Sequence, residues 1–117
     1  MPIFSDISLL ITNYNRTESL DRLLQGVKNL GLQFHQIVVS DDGSTPEHLA
    51  YLENLKCTHP ITIVKALKNT GLGNNINKGQ DIIKAPYTLY IQEDFVPNPL
   101  FVEKLRVAYK FMEQDKQ

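Results

Sequence analysis

A single cysteine, Cys57, cannot close an internal disulfide, so nothing in the chain points to an oxidising compartment. Its expected place is that of a small residue in a helix or loop. An excess of one charge is also missing, because 12 basic and 13 acidic side chains leave a formal net charge of −1. That balance gives no electrostatic reason for binding nucleic acid or an anionic membrane. No apolar run approaches the roughly 20 residues of a spanning helix. Residues 1–8 lack a basic leader, and the run Leu9-Leu10-Ile11 stops at once in Thr12-Asn13-Tyr14-Asn15. The expectation is a cytoplasmic chain with no membrane segment. Repeats, linkers and low-complexity tracts are absent as well. The 117 residues, 42% hydrophobic and 21% charged, have room for one soluble domain with one modest core.

What is present is an alternation of strand-like and helix-like segments. Residues 7–12 are a short apolar run closed by polar residues, as in a strand buried on both faces. Asn15 and Glu18 are spaced as a helix N-cap and its capping-box partner. Leu20, Leu23, Leu24, Val27 and Leu30 follow at helical spacing, and Gly31 stands where a C-cap glycine belongs. Residues 34–40 read as a second strand, and Asp41-Asp42-Gly43-Ser44 as a turn. Pro46 then opens a helix carrying Leu49, Leu52 and Leu55. Residues 61–64 read as a third strand, and residues 68–75 as a polar loop running into a helix over 76–83. Ala85-Pro86 ends that helix, and residues 87–91 form a fourth strand. Pro97-Asn98-Pro99 starts a last helix with Phe101, Val102, Leu105, Ala108, Tyr109 and Met112 on one face.

Strands separated by helices imply right-handed crossovers and a mainly parallel sheet, in a three-layer Rossmann-like α/β fold. The usual strand order for this pattern is 3-2-1-4, which places a topological switch between strands one and four. Ligands of such sheets sit at the carboxyl ends of the strands beside the switch. Tyr14 follows strand one, Asp41 and Asp42 follow strand two, and Glu93 and Asp94 follow strand four. All of them fall on one rim.

Carboxylates converging on one crevice repel each other unless a cation or a donor joins them. Magnesium or manganese takes oxygen ligands, often one or two from protein and the rest from phosphates and water. Glu93-Asp94 are suited to that share, although an acidic pair after a strand serves equally as a turn or helix cap. Tyr14, beside hydrogen-bonding neighbours, suits a nucleobase; it suits the edge of a core equally well. Asp42 can accept a hydrogen bond from a uracil or guanine ring N–H, and it can also stabilise the Asp-Gly-Ser turn with no ligand. Gly71 and Gly73 look like part of a phosphate loop, but no third glycine follows and they come after the third strand. As a dinucleotide fingerprint the pattern fails. His35, His48 and His59 lack metal-ligand spacing and are expected at the surface or a strand edge. No serine or cysteine sits in a nucleophile elbow.

Four stretches together carry a resemblance. They are Ile7-Ser-Leu-Leu-Ile-Thr-Asn-Tyr-Asn-Arg16, Gln36-Ile-Val-Val-Ser-Asp-Asp-Gly-Ser-Thr45, Asn69-Thr-Gly-Leu-Gly-Asn-Asn-Ile-Asn-Lys-Gly79 and Tyr87-Thr-Leu-Tyr-Ile-Gln-Glu-Asp94. In this order and spacing the chain resembles the N-terminal, nucleotide-binding part of family-2 glycosyltransferases of the GT-A fold. The resemblance implies that Thr12 and Tyr14 contact a nucleotide base, with Tyr14 stacking on it, and that Asp42 hydrogen-bonds the base. It implies that Glu93 meets the ribose or the metal shell. Asp94 then coordinates the Mn2+ or Mg2+ that bridges the diphosphate of a nucleotide-sugar donor, with UDP-sugar favoured.

Two positions depart from the family pattern. Gln92 stands where an aspartate is frequent. Ile76 stands where an arginine is usual, so a phosphate or sugar contact is missing or comes from Lys68 or Lys78. Lys78 is expected to be a solvated surface charge. In the family the acceptor site and the general base follow the acidic motif, so the base is expected beyond Gln117. Residues 1–117 are then one donor-binding domain, poor at transfer alone, of an inverting enzyme with a glycan, lipid or protein acceptor. An open sheet edge is expected to favour pairing with a second copy. Rival readings are a receiver-like signalling domain, a nucleotidyltransferase, and a domain that kept the fold and lost the activity. The receiver reading expects its acid pair after the first strand, and the nucleotidyltransferase reading expects a glycine- and base-rich loop there.

Overall fold

The computed structural model describes residues 3–115. The elements alternate along the chain as β1 (Ile3–Asn13), α1 (Thr17–Asn29), β2 (Gln33–Asp41) and α2 (Pro46–Leu55), followed by β3 (Ile61–Lys65), α3 (Leu72–Gln80), β4 (Tyr87–Gln92) and α4 (Pro99–Asp115). The strands form one sheet in the order β3-β2-β1-β4, and every pairing is parallel. This is the expected fold and strand order. The register brings Asn13 beside Asp41, Asp41 beside Lys65, and Thr12 beside Gln92, so the polar strand ends share one edge.

Side chains alternate between the two faces of a strand. On β1, Ile7, Leu9 and Ile11 belong to the main core with Leu20, Leu23, Leu24 and Val27 of α1, Leu52 and Leu55 of α2, and Val102 and Leu105 of α4. Each of these buried aliphatic side chains stabilises the fold by about 1.5–3 kcal/mol relative to exposure. Leu10 points to the other face, where α3 covers the sheet. There Gly79 lies so close that an added Cβ would overlap Leu10 Cδ1 and come within 3.1 Å of Ser40 Cβ. β4 is an edge strand, and its residues 87–91 are only half-buried. The Met112 side chain, expected on the α4 core face, lies outside the described residues.

The helix ends show which local signals held. α1 ends as expected at Gly31, whose φ of 67° is the left-handed conformation that glycine adopts without strain. Gly31 N donates to Lys28 O and Leu32 N to Val27 O, the paired bonds of a Schellman motif. The expected start of α1 is corrected. The N-cap is Arg16, and Asn15 has φ 53° and caps nothing. Instead Asn15 N donates to Ser44 Oγ at 2.9 Å and Asn15 Oδ1 accepts from Thr45 N at 2.9 Å. Asn15 therefore ties the β1–α1 loop to the β2–α2 loop. The helix expected over 76–83 starts earlier, at Leu72, because Asn75 N donates to Gly71 O and opens the first turn there. Leu72-Gly73-Asn74-Asn75 offers a single apolar side chain, itself exposed, and so hid that turn from a reading based on apolar spacing.

The histidine expectation is also corrected in part. His35 is exposed, but His59 is buried, with Nε2 3.8 Å from Asp21 Oδ1. His48 is half-buried, and its Nδ1 lies 2.7 Å from Thr17 Oγ1, joining α2 to the start of α1. Cys57 is free and exposed, in the turn after α2. Among the described residues no helix is long and apolar enough to cross a membrane.

Candidate functional site

A crevice of about 320 Å³ opens at the carboxyl ends of the strands, beside the switch between β1 and β4. Its walls come from four places. The end of β1 supplies Thr12, Asn13, Tyr14 and Arg16, and the turn after β2 supplies Asp42. Asn69, Gly71, Leu72 and Asn75 come from the segment leading into α3, and Gln92 and Glu93 from the end of β4. Thr12, Tyr14, Asp42 and Glu93 are thus brought together. Asp94 is not: it is exposed in the turn closed by Phe95 N donating to Gln92 O, and it does not line the crevice.

The adjacent aspartates have separate tasks. Asp41 is fully buried, and its carboxylate accepts from Asn13 Nδ2 at 3.0 Å, Ser44 N at 2.9 Å and Ser44 Oγ at 2.6 Å. It is bound into the frame. Asp42 lines the crevice, with Oδ1 accepting from Thr70 N at 2.8 Å and Thr70 Oγ1 at 3.1 Å, and Oδ2 from Gly71 N at 3.0 Å. These bonds pin the Asn69–Gly71 loop against the turn after β2. Gly43, with φ 80°, completes the arrangement, since a Cβ there would collide with the Lys68 backbone.

The expectation that three or four carboxylates converge is therefore corrected. Asp42 and Glu93 meet in the crevice, while Asp41 is buried behind it and Asp94 stands outside. Among the described residues no group of three or more His, Cys, Asp or Glu side chains is placed to share a metal ion. Glu93 pairs instead with Arg16, Nε to Oε1 at 3.6 Å. Arg16 is 63% exposed, so this pair adds at most about 1 kcal/mol and can open to a ligand.

Thr12 and Tyr14 differ in how they present themselves. Thr12 is buried, and its hydroxyl lies 3.0 Å from Tyr90 Oη across the β1–β4 pair. Tyr14 is 44% exposed and offers a ring surface to the crevice.

Lys78 corrects the expectation of a solvated charge. Its ammonium is half-buried beneath the crevice and donates to Ser40 Oγ and Asp41 O at 2.8 Å each, to Asn75 Oδ1 at 3.0 Å and to Val64 O at 3.3 Å. Desolvation lowers its pKa from the ordinary lysine value, against the opposing pull of Asp41 and Asp42. Sequence reading also passed over Asn13 and Asn75 as site residues. Their signal was weak, because asparagine beside a glycine-bearing loop is ordinary turn chemistry.

A parallel α/β sheet ordered 3-2-1-4, with its crevice at the strand switch, is a nucleotide-binding Rossmann-like architecture, and its likeness to solved structures places it with the GT-A fold. The model of glycosyl transferase family 2 matches residues 8–116, and the chain belongs to that family. An uncharacterised glycosyltransferase of Haemophilus influenzae is 27% identical over 100 residues, which are 85% of this chain and 31% of that protein. A dolichol-phosphate mannosyltransferase of Pyrococcus furiosus is 26% identical over 106 residues, 89% of this chain and 30% of the relative. Among solved structures, S. aureus TarS (1–349) in complex with UDP has a TM-score of 0.71 at 21% identity, over 92% of this chain and 32% of TarS. The mannosyltransferase PcManGT of Pyrobaculum calidifontis, in complex with GDP-Man and Mn2+, has a TM-score of 0.66 at 18% identity, over 76% of this chain and 27% of that one. The chain spans about 30% of the length of the curated relatives it matches.

Proposed function

We propose that residues 1–117 form a donor-binding domain of a glycosyltransferase, taking a nucleoside-diphosphate sugar, with uridine favoured, together with a divalent cation. The observation that carries this reading is the meeting of Thr12, Tyr14, Asp42 and Glu93 in one crevice at the strand switch. Relatives of this fold have been captured with UDP and with GDP-Man and Mn2+, which supports the same ligand class here. In the bound state Tyr14 stacks on the base beside the end of β1 at Thr12. Asp42 accepts the ring N–H, and Glu93 meets the ribose or the metal shell. Asp94 would be the protein ligand of Mn2+ or Mg2+, with Glu93 next to it and diphosphate and water completing an oxygen shell. This requires the Asp94 carboxylate to turn inward from the exposed position it holds outside the crevice. The cation, when bound, stabilises the charge that develops on the departing diphosphate. Transfer is inverting, to a glycan, lipid or protein acceptor, with the general base beyond Gln117 and the domain in the cytoplasm.

A second reading has a specific observation behind it. Gln92 and Glu93 line the crevice while Asp94 does not, an arrangement that suits a domain with the fold and no working metal site. Calorimetric titration with UDP in the presence of manganese, beside an Asp94→Ala variant, separates the two. The donor-site reading expects UDP binding that needs both manganese and Asp94. Binding indifferent to both removes the metal role, and no binding of UDP or GDP by a folded chain leaves the second reading.

A further inference from the structure

Asn75 joins the crevice to the polar network beneath it. Its side chain is buried and lines the crevice from α3. Asn75 Oδ1 accepts from Lys78 Nζ at 3.0 Å and lies 2.7 Å from Ser40 Oγ, whose one hydrogen it shares with Asn75 O, also at 2.7 Å. An ammonium has only hydrogens to offer, so the amide atom facing it must be the oxygen. Lys78 cannot swing away easily, because Ser40 Oγ, Asp41 O and Val64 O hold it as well. The amide orientation is therefore fixed by a charge. The other end, Asn75 Nδ2, makes no hydrogen bond among the described residues, and it is not one of their sealed, unbonded side-chain atoms. Nδ2 thus keeps a small accessible surface although the residue is only 2% exposed, and the surface that Asn75 lines is the crevice.

Asp42 presents the opposite chemistry in the same crevice. An ionised carboxylate only accepts, with about four lone-pair sites. Three donors, from Thr70 and Gly71, reach Asp42, two on Oδ1 and one on Oδ2. Oδ2 keeps room for one more.

We infer that Asn75 and Asp42 together select the base of the donor: Asn75 Nδ2 donates to a ring carbonyl, and Asp42 accepts from the ring N–H next to it. This rests on the donor-site reading above and names the bases it admits. Uracil and guanine both carry an N–H beside a carbonyl on the pairing edge. Cytosine and adenine carry a bare ring nitrogen beside an amino group, which sets acceptor against Asp42 and donor against Asn75. Stacking on Tyr14 is open to every base and adds no selectivity. A site built to hydrogen-bond a ligand group discriminates strongly against analogues that leave its own buried groups unpaired.

The test is a calorimetric titration of the 117-residue chain with UDP, GDP, CDP and ADP, with manganese present, repeated on Asn75→Asp and Asn75→Ala. The chain is expected to hold UDP and GDP at least about tenfold more tightly than CDP and ADP. Asn75→Asp keeps the shape of the side chain and replaces the NH2 by oxygen. Both variants are expected to cut the UDP-to-CDP preference about tenfold, a ratio that a general loss of stability does not move. If Asn75→Asp does not fold, Asn75→Ala carries the comparison. Equal affinity for UDP and CDP in the parent chain overturns the inference, as does an unchanged ratio in the variants. If no nucleoside diphosphate binds, the donor-site reading falls and this inference with it. UDP bound without discrimination overturns the base selection alone.

Discussion

Asp41 and Asp42 are bonded neighbours, yet one is locked behind the crevice by Asn13 and Ser44 while the other reaches forward to Thr70 and Gly71. Alternation along the end of β2 sends successive side chains in opposite directions, and each finds the donors on its own side. Lys78 completes the division, because its ammonium binds the Asp41 carbonyl while Asp41 and Asp42 favour its charge. Lys78→Met removes a donor from Ser40 Oγ, Asn75 Oδ1 and two strand carbonyls at once. Urea denaturation is expected to show a loss of about 1–3 kcal/mol, the cost of leaving buried polar groups unmatched. A variant as stable as the parent would mean that water replaces the ammonium without penalty.

Among the elements, α3 is the one whose position decides the site. It covers the Leu10–Ser40 face of the sheet with little apolar surface of its own; its buried residues are Asn75 and Gly79. Its seat depends on close approach at Gly79, where a methyl group would press on Leu10 and Ser40. Gly79→Ala is expected to cost about 1–3 kcal/mol by overpacking. It should also weaken UDP binding, because Asn75 moves with the helix. Chemical denaturation checks the first effect and calorimetry the second. Unchanged stability would mean that α3 shifts outward freely. β4 shows the complementary case. Its apolar run is readable as a strand, but only the sheet order leaves it at an edge with half-buried side chains.

At the scale of the whole molecule, His59 links stability to pH. It is buried, and burial lowers its pKa from 6.5; Lys28 also lowers it, while Asp21 opposes both. The unfolded chain then binds this proton more readily than the folded one. Stability contributed by neutral His59 is present above pH 6.5 and is lost as pH falls through the lower folded value. Denaturation midpoints between pH 7.5 and about 5 should fall more steeply for the parent than for His59→Gln. Parallel profiles would show that His59 is not the group responsible.

How much of this was legible follows from how far each determinant reaches along the chain. Periodicity, capping glycine and proline are local signals, and residues 7–12, 34–40, 61–64 and 87–91 were readable as strands because of them. Alternating strands and helices carry the parallel order 3-2-1-4, and four ordered motifs carry the family. The start of α1 and of α3 were misread because Asn15 and residues 72–75 answer to distant partners or lack apolar spacing. Sequence by itself determined the elements, their order, the family and the rim on which the polar clusters fall. Tertiary structure alone decided which neighbour on that rim faces the crevice: Asp42 and not Asp41, Glu93 and not Asp94, with Asn75 oriented by Lys78. The physical reason is that a side chain's direction at a strand end is set by donors and acceptors remote in sequence. Thr70 reaches Asp42 across 28 positions, and Tyr90 meets Thr12 across 78; only the packed sheet brings such groups within a hydrogen bond.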